Sequence, residues 1–166
     1  MAAGEGQAQA RGKAAAAAIR WARDGEDMRG AFALRELVFC GEQGVPREEE
    51  MDSRDEDALH VVALAPEDGR VVGTLRLLLE TRDGTTVAKI GRVAVARERR
   101  RRGIALRMLE LALAAARERG CARVRLAAQL EAVALYEQAG FAVESAVFEE
   151  AGIQHVWMAR VLETSA

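Results

Sequence analysis

The chain has 166 residues, half of them hydrophobic and 30% charged, which fits one globular domain able to bury its own core. Its 24 Lys and Arg oppose 26 Asp and Glu, and the formal net charge of −2 argues against a protein that binds nucleic acid over its whole surface. Cys40 and Cys121 form no disulfide framework and have no partner at metal-ligand spacing, so no metal is expected. No run of about 18 uncharged apolar residues exists, so no membrane span is expected.

Residues 1–15 are rich in Ala, Gly and Gln, and Glu5, Arg11 and Lys13 interrupt them without the apolar core that a targeting signal needs. They read as a flexible tail on a cytoplasmic protein whose single domain spans 16–166. Ala16–Arg23 reads as a first strand ending at Asp24-Gly25. Met28, Phe32, Leu34, Leu37 and Val38 then approximate helical spacing and predict a helix over Glu26–Phe39. Between Glu42 and Asp57 eight acids face only Arg47 and Arg54, and with Pro46 this composition predicts a loop. Such a loop can steer a cationic amine or simply be a solvated surface.

His60–Ala65, Arg70–Glu80 and Thr85–Ala96 are strand-like and are separated by Pro66–Gly69 and Arg82–Gly84, an antiparallel meander. After it, Ile104, Met108, Leu111, Ala112 and Ala115 share a helical face that closes at Gly120. Arg123–Ala127 reads as a strand, Glu131–Ala139 as a short helix closed by Gly140, and Phe141–Phe148 and Ile153–Val161 as two last strands. With no internal repeat, this order describes an α+β domain: a mixed sheet with helices on its faces. Open sheet edges admit a homodimer, although no residue demands one.

Chemistry concentrates where the third strand of the meander meets the long helix. Six arginines and Glu98 lie between Arg97 and Arg107, around Gly103. Free N–H groups and the helix dipole at such a junction attract an anion, and a glycine lets a phosphate approach the backbone. By composition alone the same run is also a solvated basic face or a patch that tracks nucleic-acid phosphates.

Val93-Ala94-Val95 followed by Arg100-Arg101-Arg102-Gly103-Ile104-Ala105 resembles the acetyl-CoA signature of the GNAT N-acetyltransferases, Q/R-x-x-G-x-G/A, with Ala105 in place of the commoner Gly. Leu135-Tyr136 through Gly140-Phe141 resembles their second signature. Val38–Gln43, Glu50–Asp55, Ala58–His60, Ile90–Val93, Ala127–Gln129 and Ala151–Met158 are similar to the ElaA-like branch, so the resemblance covers about residues 16–160. It implies a largely antiparallel sheet with a V-shaped splay, and acetyl-CoA as cosubstrate. The pantetheine arm would lie along Val93, Ala94 and Val95, and the pyrophosphate on Arg100, Arg101, Arg102, Gly103, Ile104, Ala105 and Leu106. Gln129 stands where many relatives carry an Asn that contacts the coenzyme.

The resemblance also implies a primary amine acceptor, small molecule or peptide, that attacks the thioester directly. A backbone N–H near Val95 would steady the oxyanion, and Tyr136 would protonate the leaving thiolate. Glu42 is the candidate base, with Asp52, Asp55 and His155 beside it as candidate acceptor-site residues. His60, His155 and ordered water leave the base open. Cys40 is read as core packing. Two rival readings are a CoA-binding sensor without turnover and a basic-patch nucleic-acid binder.

Overall fold

The computed structural model describes residues 15–163, so the tail expected over 1–15 lies outside them except for Ala15. Strand β1 (Ala18–Trp21) leads into α1 (Gly25–Arg35) through Asp24, whose extended backbone and side chain cap the helix by accepting from the Asp27 N–H. Asp27 in turn accepts from both terminal nitrogens of Arg20, at 2.6 and 3.0 Å, which ties the helix start to the strand. The helix expected to reach Phe39 ends as an α-helix at Arg35 and continues to Glu42 as a wide-turn π-helix (Glu36–Glu42). Leu37 to Cys40 are four consecutive apolar residues without helical period, and the wider turn leaves Leu37 exposed while burying Val38.

The acidic stretch is less irregular than its composition predicts. It holds a short turn of helix, α2 (Arg47–Glu50), started by Pro46, and a 3₁₀ turn (Ser53–Asp57) capped by Asp52. The meander follows as β2 (Leu59–Leu64), β3 (Val71–Arg82) and β4 (Thr85–Val95). Asp83 and Gly84 both have positive φ (52° and 77°), a two-residue turn whose twist suits a hairpin.

A further 3₁₀ turn (Arg97–Arg99) precedes α3 (Ile104–Glu118), and β5 (Arg123–Gln129) returns beneath it. The short α4 (Val133–Gln138) follows, and then β6 (Ala142–Val143), β7 (Phe148–Glu150) and β8 (Ile153–Val161). The single strand expected over Phe141–Phe148 is thus two fragments. Between them the Ser145 hydroxyl, not a backbone group, accepts the Trp157 N–H at 2.8 Å, which interrupts the ladder.

The strands form one sheet in the order β1-β2-β3-β4-β5-β8-β6, with β7 also on β8. Every pairing is antiparallel except β4 with β5. β3 is buried at each position from Val72 to Leu78, so helices cover both faces there. At Gly73 a Cβ would lie 3.0 Å from Ile104 and 3.2 Å from Met108, so glycine lets α3 settle directly on the sheet. β5 instead alternates, burying Val124, Leu126 and Ala128 and leaving Arg123, Arg125, Ala127 and Gln129 half-open.

Candidate active site

The sheet opens where β4 and β5 stop pairing. Val87–Ile90 match Arg123–Leu126 in register, but beyond Ile90 each strand keeps only its other neighbour. β4 stays on β3 as far as Val95, while β5 stays on β8 as far as Gln129 opposite His155. A β-bulge at Arg92 and Val93, with Arg92 at φ 54°, bends β4 away. The gap therefore exposes backbone that a sheet would otherwise pair, an edge suited to an extended ligand.

A cavity of about 1090 Å³ fills this gap and runs from the α3 turn to the β7–β8 hairpin. At one end Arg101 (φ 62°) and Gly103 (φ 78°) take left-handed backbone, and Gly103 has nothing within 4 Å of where a Cβ would stand. The N–H groups of Ile104, Ala105 and Leu106 open the helix and have no acceptor within it. Arg101, Gly103, Ile104, Ala105 and Leu106 line the cavity, and Arg102 does not. Arg99 is ion-paired with Glu67. Free amides, a glycine with open space above it and an adjoining arginine fit a pyrophosphate.

Val93, Ala94 and Val95 line the middle. Arg100 reaches across the gap: its Nε donates to the Val95 carbonyl at 3.0 Å and its Nη2 to Glu42 Oε2 at 2.8 Å. The Gln43 and Gln129 side chains exchange two hydrogen bonds, each amide nitrogen donating to the other's oxygen at 3.2 and 2.9 Å, and these also bridge the opening. Tyr136 projects from α4 with its ring edge-on to Phe141. Burial pushes its phenol up to about 12 from the ordinary 10.0, so it holds its proton throughout the neutral range. His155 lines the cavity too. Its Nδ1 lies 2.7 Å from the Ile153 carbonyl, an acceptor only, so Nδ1 carries the proton and Nε2 a lone pair in the neutral ring.

The comparisons with known proteins agree with this geometry. The sequence model of the Acetyltransferase (GNAT) family matches residues 26–141. The chain belongs to that family. It is 33% identical over 138 residues to the Bacillus subtilis protein named uncharacterized N-acetyltransferase YjcF, covering 82% of this chain and 94% of that one. It is 38% identical over 145 residues to a UPF0039 protein of Mycobacterium tuberculosis, covering 84% and 89%. Among solved structures, an acyl-CoA N-acyltransferase from Pseudomonas aeruginosa superposes with a TM-score of 0.72 at 30% identity, covering 87% and 100%. Escherichia coli ElaA does so with a TM-score of 0.73 at 26%, covering 86% and 99%. As a GNAT protein the chain is an acyltransferase, and its mixed, splayed sheet is the GNAT fold.

Within this GNAT frame the acidic stretch divides. Glu42 lines the cavity; Asp52 and Asp55 do not. They belong to a network of three arginines and three acids that fastens the stretch to β3 and β4. Arg35 holds Glu50 and Asp55 at 2.7 Å each, and Arg76 holds Asp52 at 2.7 and 2.9 Å and Asp55 at 3.1 Å. Arg92 adds the Glu50 carbonyl and Asp52. The Arg76 guanidinium holds Asp52 down to about 2. Burial resists the charge on Asp55, and Arg35 and Arg76 more than offset it, so its carboxyl also lies below the ordinary value.

His60 stays outside the cavity, with Nε2 2.9 Å from the Asp55 carbonyl. Cys40, read from the sequence as core packing, is only half-buried and lies outside the core cluster; burial still pushes its thiol up, which keeps it a poor nucleophile. Lys89, Arg92 and the β7–β8 hairpin, all on the cavity wall, carry no role in the sequence reading. Lys89 stands out in composition alone, being one of two lysines among 24 basic residues.

Proposed function

We propose that this chain is an N-acetyltransferase that transfers acetyl from acetyl-CoA to the primary amine of a small molecule or peptide, by direct attack inside the splay. The observation that carries the reading is the continuity of one cavity from the α3 amides, past the unpaired edge of β4, to the buried phenol of Tyr136. Acetyl-CoA supplies the activated acyl group, and the residues of this chain bind it, orient it and move the protons.

The amides of Ile104 to Leu106, with Arg101, bind the pyrophosphate; Arg100 and Arg102 add charge at the mouth. Val93 and Val95 pair the pantetheine arm as an added strand. Arg100 holds the Val95 carbonyl and Glu42, and pairing of the pantetheine arm with that carbonyl requires Arg100 to turn away from it. Its turn toward phosphate would free Glu42 to take the surplus proton of the attacking amine, directly or through water. A backbone N–H near Val95 donates to the carbonyl oxygen as charge develops there. Tyr136 then gives its proton to the departing sulfur, and its high pKa keeps that proton available. Gln129 is tied to Gln43, and together they border the pantetheine path.

The test is release of free thiol from acetyl-CoA over an amine panel. Wild-type protein should turn over at least one amine, and Tyr136→Phe should lower kcat about 10²–10⁴-fold while acetyl-CoA affinity stays close to wild type. Undiminished kcat in Tyr136→Phe would remove the acid role, and no thiol release by folded, acetyl-CoA-binding protein would favour the sensor reading.

A further inference from the structure

Of the two lysines, Lys13 lies outside the described residues, and Lys89 is on the cavity wall where β4 and β5 are about to part. Its side chain carries a compact ammonium with three donors on a flexible stem. Lys89 is paired in register with Arg125 on β5, and Trp157 stands opposite Ala127 on β8. Both cations lie over the same indole: Lys89 Nζ is 5.2 Å and the Arg125 guanidinium carbon 4.6 Å from the ring centroid. Phe148 stacks on Trp157 and on His155 with centroids 5.7 Å apart in each case, which continues the platform to the cavity wall.

The charges on this half-open face do not cancel. Arg125 and Arg123 share one carboxylate, Glu144, at 2.7 and 3.5 Å. Lys89 forms no ion pair among the described residues, and Glu80, whose carboxylate feels its field, is bonded to Arg54 at 3.1 Å. An ammonium resting on an aromatic face with open cavity before it has three donors and no anion.

Resting on the acetyltransferase reading, we infer that Lys89 is a specificity-determining residue that binds an anionic group, carboxylate or phosphate, carried by the amine acceptor. The amine points to the thioester in the splay, the anion sits on Lys89, and Trp157 holds the ammonium in place. Acceptors of this class are amino acids and other amines with an acidic group a few bonds from the nitrogen.

Matched acceptors test this: an amino acid against its amide, and an amino phosphate against the corresponding amino alcohol, each with acetyl-CoA. Wild type should favour the anionic member of at least one pair by about tenfold or more in kcat/KM, through KM. The responsive pair identifies carboxylate or phosphate. Lys89→Met should bring that ratio toward one, Lys89→Arg should keep most of it, and Lys89→Glu should reverse it. Equal use of both members by wild type, or a preference that survives Lys89→Met, overturns the inference and leaves the transferase reading standing. Failure to acetylate any amine by folded, acetyl-CoA-binding protein overturns both.

Discussion

Tyr136 is the chain's one tyrosine, and its burial keeps the phenol protonated throughout the neutral range, as the proposed acid role requires. A phenol at about 12 ionises two units above its ordinary 10.0, so an ultraviolet titration of the folded protein should show no phenolate until the pH nears 12. A midpoint near 10 would contradict the burial, because it would mean that the side chain reaches water. The motif around Tyr136 was legible in the sequence, but its burial was not, because α4 and Phe141 create that burial only after folding. Glu42 shows the converse. Its place after the first helix pointed to the site, while its bond to Arg100, 58 positions away, could not be read from local pattern.

At the scale of elements, the first helix and the acidic stretch act as one wall held by Arg35. That guanidinium is 1% exposed and its partner Glu50 2%, so removing Arg35 strips the buried Glu50 of its nearest counter-charge and leaves it only Arg92, at 3.2 Å. Arg35→Met should therefore cost about 3–5 kcal/mol of stability, measured by denaturant unfolding. A loss below about 1 kcal/mol would show that the wall does not depend on the network. The eight acids between Glu42 and Asp57 suggested a solvated or steering loop, and composition could not say otherwise. Three of them are neutralised by arginines 15 to 42 positions distant, so Asp52 and Asp55 fix the wall and only Glu42, of the acids first singled out, faces the cavity. Local rules served better where the signal was local, as at the Asp83-Gly84 hairpin and the apolar face of α3. The π-helix after Arg35 escaped them because Leu37 to Cys40 are consecutive apolar residues that do not distinguish a wide turn from an α-helical one.

For the whole molecule, two aspartates in arginine ion pairs set the acid limit of stability. Asp27 beside Arg20 and Asp52 beside Arg76 each lie at about 2, below the ordinary 3.8. A depressed folded-state pKa contributes stability that is complete above the unfolded value and is lost as pH falls through the folded one. The midpoint of thermal unfolding should thus decline between about pH 4 and pH 2, and Asp27→Asn should flatten part of that decline. A curve unchanged over this window would contradict the ion pairs. The α+β class, the meander and the long helix on the sheet followed from periodicity and turn residues. The splay did not, because it depends on which strands stop pairing, and only the resemblance of residues 93–105 and 135–141 to a known family suggested it.

The central claim is that acetyl-CoA lies in the splay with its phosphates on the α3 turn. Calorimetric titration of wild type and Gly103→Trp with acetyl-CoA, with ATP as a control anion, tests it most directly. Gly103 has open space above it and φ of 78°, so an indole there would fill the phosphate cradle. The expected result is stoichiometric acetyl-CoA binding by wild type, stronger than that of ATP, with at least tenfold loss in folded Gly103→Trp. Equal affinity in the two proteins, or no acetyl-CoA binding by wild type, would contradict it.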